Sequence, residues 1–288
     1  MTGKRTVGLI GLGLMGQALA TRLIPAGFGV VGYDIDAAKS EKLKSMGGEA
    51  GSLAEAAKCD VVVLAVFSTD QVEEVVENTL APHGGGKIVL CTSTCDPDRI
   101  AALAARVEPR GIRFLETPVS GTSGQVSRGE GTGLIGGDPQ TATEVSDILD
   151  AIFAKRFHIG KAGDGGRAKL AINLILGLHR LALAEGLVFA ERAGLDTGAF
   201  LEVARNSAAY SQVMDIKGRK MVEREFKPEG FIHQSLKDFT LMREQAAKLG
   251  QSLPALALNK AVLEACVKAG DADLDNSAVI EEIRRRRH

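Results

Sequence analysis

The chain has no tryptophan, only two tyrosines and only four cysteines among its 288 residues. Cys59, Cys91, Cys95 and Cys266 are too few and too scattered for a disulfide framework. Only Cys91 and Cys95 are neighbours, and no histidine cluster completes a metal site around them, so no metal is expected. Thiols beside apolar runs read as small core residues, and reduced thiols fit a cytoplasmic protein. An excess of one charge is also lacking. The formal net charge of -1 gives no electrostatic footprint for nucleic acid. Arg284 to Arg287 form the one basic cluster, which reads as a solvated helix end. No apolar run is read as reaching the ~18 residues of a membrane span. Lys4 and Arg5 lead straight into an apolar segment rather than a secretory leader.

What is present is a 45% hydrophobic chain, long enough for about two domains at roughly 150 residues each. In the first half, strands are expected at 7–10, 29–33, 60–66, 87–91, 114–116 and 131–136. Helices are expected at 16–26, 37–46 and 98–107. The run at 60–66 is apolar throughout, as in a strand covered on both faces. This alternation predicts an α/β fold with a doubly wound parallel sheet. The character changes after Gly160. The glycines of 161–166 break local structure, and residues 167–193 then keep helical spacing without a proline. Such a helix would span about 40 Å. The remainder also reads as helices, with turns at Gly194, Gly230, Gly250 and Gly270. Two domains follow: 1–162, and an all-α domain at 163–288.

Gly11-Leu12-Gly13-Leu14-Met15-Gly16 matches G-x-G-x-x-G between an apolar strand and an amphipathic helix, the context of a Rossmann dinucleotide site. Gly11 permits a tight turn, Gly13 lets the backbone approach a pyrophosphate, and Gly16 allows close helix–strand packing. Asp34 ends the second strand, where a carboxylate meets the adenosine ribose hydroxyls. It would repel a 2′-phosphate, and no arginine follows to receive one, so NAD is favoured over NADP. The alternative makes Asp34 only a helix N-cap.

Three segments could carry chemistry. In the turn from Glu116 to Thr122, Ser120, Gly121 and Thr122 can offer hydroxyls and backbone N–H groups to a small carboxylate. The same turn could be plain polar surface. Lys169 and Asn173 share one helix face amid apolar neighbours. A lysine there could lose solvation and exchange protons near neutrality, or could simply snorkel. Lys237-Asp238 alone says only that a charged helix begins.

Taken together these segments resemble the β-hydroxyacid dehydrogenases, relatives of 3-hydroxyisobutyrate dehydrogenase and tartronate semialdehyde reductase in the 6-phosphogluconate dehydrogenase superfamily. The likeness rests on residues 8–16, Ser93-Thr94-Cys95-Asp96-Pro97, Pro118-Val119-Ser120-Gly121, residues 163–173 and Lys237-Asp238. It implies hydride transfer between NAD(H) and a small 3-hydroxy acid or its semialdehyde. Lys169 would then be the catalytic acid/base and Asn173 its partner. Ser120, Gly121 and Thr122 would hold the substrate carboxylate. Thr94 and Lys237 would touch the nicotinamide side, Val66 and Phe67 would line the path, and Gln71 would contact cofactor. A homodimer or homotetramer is implied too. Three departures fall around the implied substrate pocket. Thr122 stands where the family has a second glycine, Glu116-Thr117 precedes the Pro-Val, and Gly230 replaces a phenylalanine, with Phe231 one step along. The rival readings are another reductase of this fold, such as a tartronate or succinic semialdehyde reductase or an imine reductase, and a non-enzymatic cofactor-binding module.

Overall fold

The computed structural model describes residues 5–83 and 85–286. Lys4 and Arg287 lie outside the described residues. The chain divides into two compact units, one ending at Lys169 and the other beginning at Leu170.

The first unit carries nine strands: β1 (Thr6–Ile10), β2 (Gly29–Tyr33), β3 (Glu49–Ala50), β4 (Val61–Leu64), β5 (Lys87–Cys91), β6 (Ile112–Glu116), β7 (Val119–Ser120), β8 (Thr132–Gly136) and β9 (Lys155–Gly160). Its helices are α1 (Leu14–Leu23), α2 (Ala37–Ser45), α3 (Leu53–Ala57), α4 (Thr69–Glu74), α5 (Pro97–Val107), α6 (Ser123–Ser127), α7 (Pro139–Glu144) and α8 (Ser146–Ile152). A π-helical stretch, Val75–Leu80, extends α4. The sheet runs β3-β2-β1-β4-β5-β6-β8-β7, with β9 on β8. It is parallel from β3 to β6, then β8 pairs antiparallel to β6 and β7.

Successive side chains of a strand point to opposite faces, and both faces here are covered. Val61 and Val63 join Leu19, Leu23, Ile148 and Leu149 in one core, whereas Val62 and Leu64 join Val72, Ile100 and Leu103 in the other. Each such aliphatic side chain contributes about 1.5–3 kcal/mol by leaving water. Strand order reverses between β1 and β4. In open α/β sheets, ligands bind outside the carboxyl ends of the strands at such a point.

The second unit is helical: most of α9 (Asp164–Arg192), then α10 (Thr197–Arg205), α11 (Arg219–Glu223), α12 (Ile232–Lys248), α13 (Pro254–Lys268) and α14 (Val279–Arg285). Leu187, Met221, Ile232, Phe239, Leu263, Cys266 and Ile280 form its core. Inside it, the Lys217 ammonium meets both oxygens of Asp275, at 2.9 and 2.8 Å. The basic run at the end is paired: Arg284 with Glu191 and Glu281, Arg285 with Asp271 and Glu282, Arg286 with Glu282.

The doubly wound parallel sheet is as expected from β3 to β6, with β8 added antiparallel to β6 and β7. Three expectations need correction. Strand β9 was not expected; its mostly exposed, charged edge pattern hides it from an apolar-run reading. The long helix begins at Asp164 rather than 167, because the glycines read as breakers form its first turn. That helix also holds an 18-residue window of mean hydropathy 1.5. By length and composition α9 could therefore cross a membrane, contrary to the sequence reading. Its leucines, isoleucines, valine and phenylalanine keep the average high although polar residues interrupt them.

Candidate active site

Each glycine of the first loop is required for a different reason. Gly11 has φ +92°, and a Cβ there would lie 2.5 Å from the Ala65 carbonyl oxygen. A Cβ on Gly16 would lie 2.0 Å from the Gly11 carbonyl oxygen. Gly13 has no atom within 4 Å of where its Cβ would be. The room is open at the one glycine that a pyrophosphate must approach. Gly13 is also the N-cap of α1, and no side chain caps that helix. Its first N–H groups can therefore meet an anion. The residues present fit a dinucleotide.

Asp34 follows β2 and holds this loop in place: its Oδ2 accepts a hydrogen bond from the Leu12 amide at 2.7 Å. Its Oδ1 accepts from the Asp36 amide at 2.9 Å and faces Lys39 Nζ at 3.4 Å. The N-cap of α2 is Asp36, not Asp34, so the capping alternative does not describe this residue. Leu14 and Met15 form the first turn of α1. Val66 and Phe67 follow β4, and Phe67 stays 43% exposed. Gln71 is committed locally: its Oε1 accepts from the amides of Phe67 and Ser68 at 2.8 and 3.3 Å. Ser93 donates to the Val66 carbonyl at 2.7 Å, tying the Thr94 loop to the Phe67 loop.

Ser120 lies in the short strand β7, opposite Thr132. Gly121 has φ +143°. Thr122 caps α6 in a capping box: its hydroxyl oxygen accepts from the Gln125 amide at 3.2 Å, and its own amide donates to Gln125 Oε1 at 2.9 Å. That amide is therefore engaged, while the hydroxyl hydrogen remains able to donate.

Lys169 is 7% exposed, one turn before Asn173 on α9. Asn173 Nδ2 donates to Asp238 Oδ2 at 2.9 Å, which fixes the amide. Lys237 Nζ lies 3.2 Å from Asp238 Oδ1, so the charged pair on α12 bears directly on Asn173. Among the described residues no group of three or more His, Cys, Asp or Glu could hold a metal ion.

Two charged residues were not read as site residues from the sequence. Glu116, 4% exposed at the end of β6, accepts hydrogen bonds from the amides of Gly163 and Gly166. It thereby caps α9 just before Lys169. Burial pushes its carboxyl up to about 7, although both N–H groups and nearby Arg167 pull the other way. Arg180 lies farther along α9 on the stripe that carries Lys169 and Asn173. Burial lowers its guanidinium to about 10, against the pull of Asp275 and Asp238, so it stays charged at neutral pH. For Glu116 the Pro-Val turn that follows it was a usable signal. For Arg180 only its spacing from Asn173 was.

Comparison with known proteins agrees with this geometry. The family described as the NAD binding domain of 6-phosphogluconate dehydrogenase matches residues 6–160. The family described as the NAD-binding of NADP-dependent 3-hydroxyisobutyrate dehydrogenase matches residues 163–283. The probable 3-hydroxyisobutyrate dehydrogenase-like 2, mitochondrial, of Arabidopsis thaliana is 31% identical over 98% of this chain and 94% of its own length. The L-threonate dehydrogenase of Cupriavidus necator is 30% identical, covering 96% of both chains. The crystal structure of 3-hydroxyisobutyrate dehydrogenase from Salmonella typhimurium superposes with a TM-score of 0.89 at 28% identity, over 96% of this chain and 99% of that one. The chain belongs to the β-hydroxyacid dehydrogenase family, NAD-binding oxidoreductases of the 6-phosphogluconate dehydrogenase superfamily.

Proposed function

We propose that the protein interconverts a small 3-hydroxy acid and its semialdehyde with NAD as preferred cofactor, using Lys169 as the general acid/base. The observation that carries this reading is a buried lysine one helical turn from an amide that is itself held by a carboxylate.

NAD, when bound, supplies the hydride acceptor. The loop from Gly11 to Gly16 and the N-terminus of α1 would hold its pyrophosphate, and Asp34 its ribose. Val66, Phe67, Thr94 and Lys237 would serve the nicotinamide side, with Gln71 shaping the Phe67 loop. The Ser120 hydroxyl, the Gly121 amide and the Thr122 hydroxyl would donate to the substrate carboxylate. Asn173 would orient the reacting hydroxyl. Lys169 would take its proton during oxidation and return it during reduction, a contribution of roughly 10²–10⁴-fold in rate. Orientation of the bound carboxylate adds to this by bringing the reacting groups together before the chemical step.

The domain limits 1–162 and 163–288, a cytoplasmic location and a homodimer or homotetramer belong to the same reading. The four free cysteines support the location. The exposed Ile175 and Phe189 of α9 support association with further copies. Following NADH absorbance over a panel of 3-hydroxy acids and semialdehydes, with NAD and NADP in parallel, tests the reading. Turnover of at least one member with NAD preferred is expected. Reduction of cyclic imines with no turnover of the panel would overturn it, as would cofactor binding without any turnover.

A further inference from the structure

Helix α9 places Lys169, Asn173 and Arg180 on one stripe. At 100° per residue, spacings of four and seven keep all three within about 40° of arc. Helical side chains tilt toward the N-terminus, so the Arg180 guanidinium leans back over the turn that separates it from Asn173. Both residues meet α12: Asn173 through Asp238, Arg180 through Ser235. Between them Gly177 lies against Phe239, where a Cβ would come within 2.5 Å of the ring.

Arg180 is short of partners. A guanidinium has five N–H donors in a fixed fork. Its one hydrogen bond among the described residues goes to Ser235 Oγ at 3.5 Å, beyond the good range for N–H to O. The carboxylates around it are engaged elsewhere. Asp275 accepts from Lys217 with both oxygens, from the amide and hydroxyl of Ser277, and from the Glu229 amide. Asp238 takes Asn173 on one oxygen, while its other oxygen has the Lys237 ammonium at 3.2 Å but accepts no hydrogen bond among the described residues. A partly buried cation without a contacting anion is costly, and the cost is removed when an anion arrives.

A second unmet group lies beside it. Asn276 donates from Nδ2 to the same Ser235 Oγ at 3.4 Å, while its Oδ1 is buried with no hydrogen-bond partner. The Asn276 amide donates to the Gly230 carbonyl at 2.8 Å. A Cβ on Gly230 would come 3.3 Å from Asn276 Nδ2, so a larger side chain there would press on this group. As glycine, residue 230 leaves room beside Asn276.

We propose that Arg180, with Ser235 and Asn276, is a specificity subsite for a second anionic group on the substrate. The inference rests on the dehydrogenase reading above and narrows its substrate class to hydroxy acids with a terminal carboxylate or phosphate. Arg180 supplies the fork, Ser235 a hydroxyl donor, and Asn276 Oδ1 an acceptor for a neighbouring substrate hydroxyl.

Matched substrates test it: 3-hydroxybutyrate, 3-hydroxyglutarate and 3-hydroxy-4-phosphobutyrate, compared by kcat/KM with NAD. The expected result is a preference on the order of tenfold or more for one of the two substrates with a second anionic group, which also tells carboxylate from phosphate. Arg180→Met should remove that preference and leave 3-hydroxybutyrate within about threefold. Arg180→Lys keeps the charge without the fork and should lose part of it. Calorimetric titration with glutarate, butyrate and inorganic phosphate reads the subsite without turnover. Arg180-dependent binding of glutarate or phosphate, but not butyrate, is expected even if no hydroxy acid is oxidised, an outcome that would sink the dehydrogenase reading alone. Equal kcat/KM for all three substrates, or an equal loss on all three in Arg180→Met, overturns the subsite, as does binding of the anions that Arg180→Met leaves unchanged.

Discussion

The Glu116 carboxylate and the Gly166 amide, fifty residues apart in sequence, meet at 3.2 Å where the sheet ends and α9 begins. With the Gly163 amide, this contact replaces the side-chain cap that a helix N-terminus otherwise takes from its own preceding residue. It sets the first turn of α9, and therefore Lys169, against the end of β6.

Glu116 should also govern how stability varies with pH. Its carboxyl is raised from 4.5 to about 7 in the folded chain. A raised folded value means that the protonated form is favoured by folding. The contribution is therefore fully present below about 4.5 and is lost as pH rises through about 7. Glu116→Gln holds the group neutral. The melting temperature of the wild type, measured relative to this variant, should fall from pH 5 to pH 8 and level off above. A rise over that interval would mean that the two backbone donors outweigh burial.

Asp34 should set cofactor choice and loop geometry together, since one oxygen already holds the Leu12 amide. Fluorescence titration of the wild type should show NAD bound more tightly than NADP. Asp34→Ser should narrow the ratio and also weaken NAD by about tenfold or more, because the loop loses a charge-assisted hydrogen bond worth roughly 1.5–3 kcal/mol. Tighter NADP binding by the wild type would reverse the assignment.

Lys169→Ala should fold and bind NAD normally, yet lose at least about a hundredfold in kcat. Lys169→Arg should restore little, because a guanidinium stays protonated at working pH. A well-folded alanine variant with near-normal turnover would remove Lys169 from the mechanism.

The second unit should depend on a buried ion pair. Asp275 is fully buried, and Lys217 is 4% exposed. Lys217→Met leaves that carboxylate without its cation and should cost about 3–5 kcal/mol in urea unfolding. The double variant Lys217→Met, Asp275→Leu should recover part of the loss. No recovery would mean that the Ser277 and Glu229 contacts, rather than the charge, hold the segment.

Several parts of this architecture are legible because burial writes them locally. Residues 29–33 and 87–91 read as strands and form β2 and β5. Their sequences are compatible with strands buried on both faces. The glycine loop is legible for a related reason, since each glycine answers a steric demand within a few residues. What stayed hidden is relational. The Pro-Val turn marks Glu116 in the sequence, but not the helix, some fifty residues on, that it caps. The engagement of the Thr122 amide depends on Gln125 folding back, and in the edge strand β9 the alternation of Phe157 and Ile159 with charged and polar residues is too short to stand out. Arg180 in an apolar helix looks like an ordinary charged residue until its neighbours' carboxylates prove to be engaged elsewhere.

The open space at Gly13 separates two demands that a glycine-rich loop usually fuses. A methyl group at position 11 or 16 would collide with the chain's own backbone, so both glycines are fixed before any ligand arrives. A methyl at position 13 would touch none of the described residues. Gly13→Ala should therefore yield a chain that folds as before and keeps its melting temperature, yet excludes the pyrophosphate. Such a variant is a permanently apo form, against which every effect of cofactor on motion, association or protease resistance can be measured in an otherwise unaltered molecule.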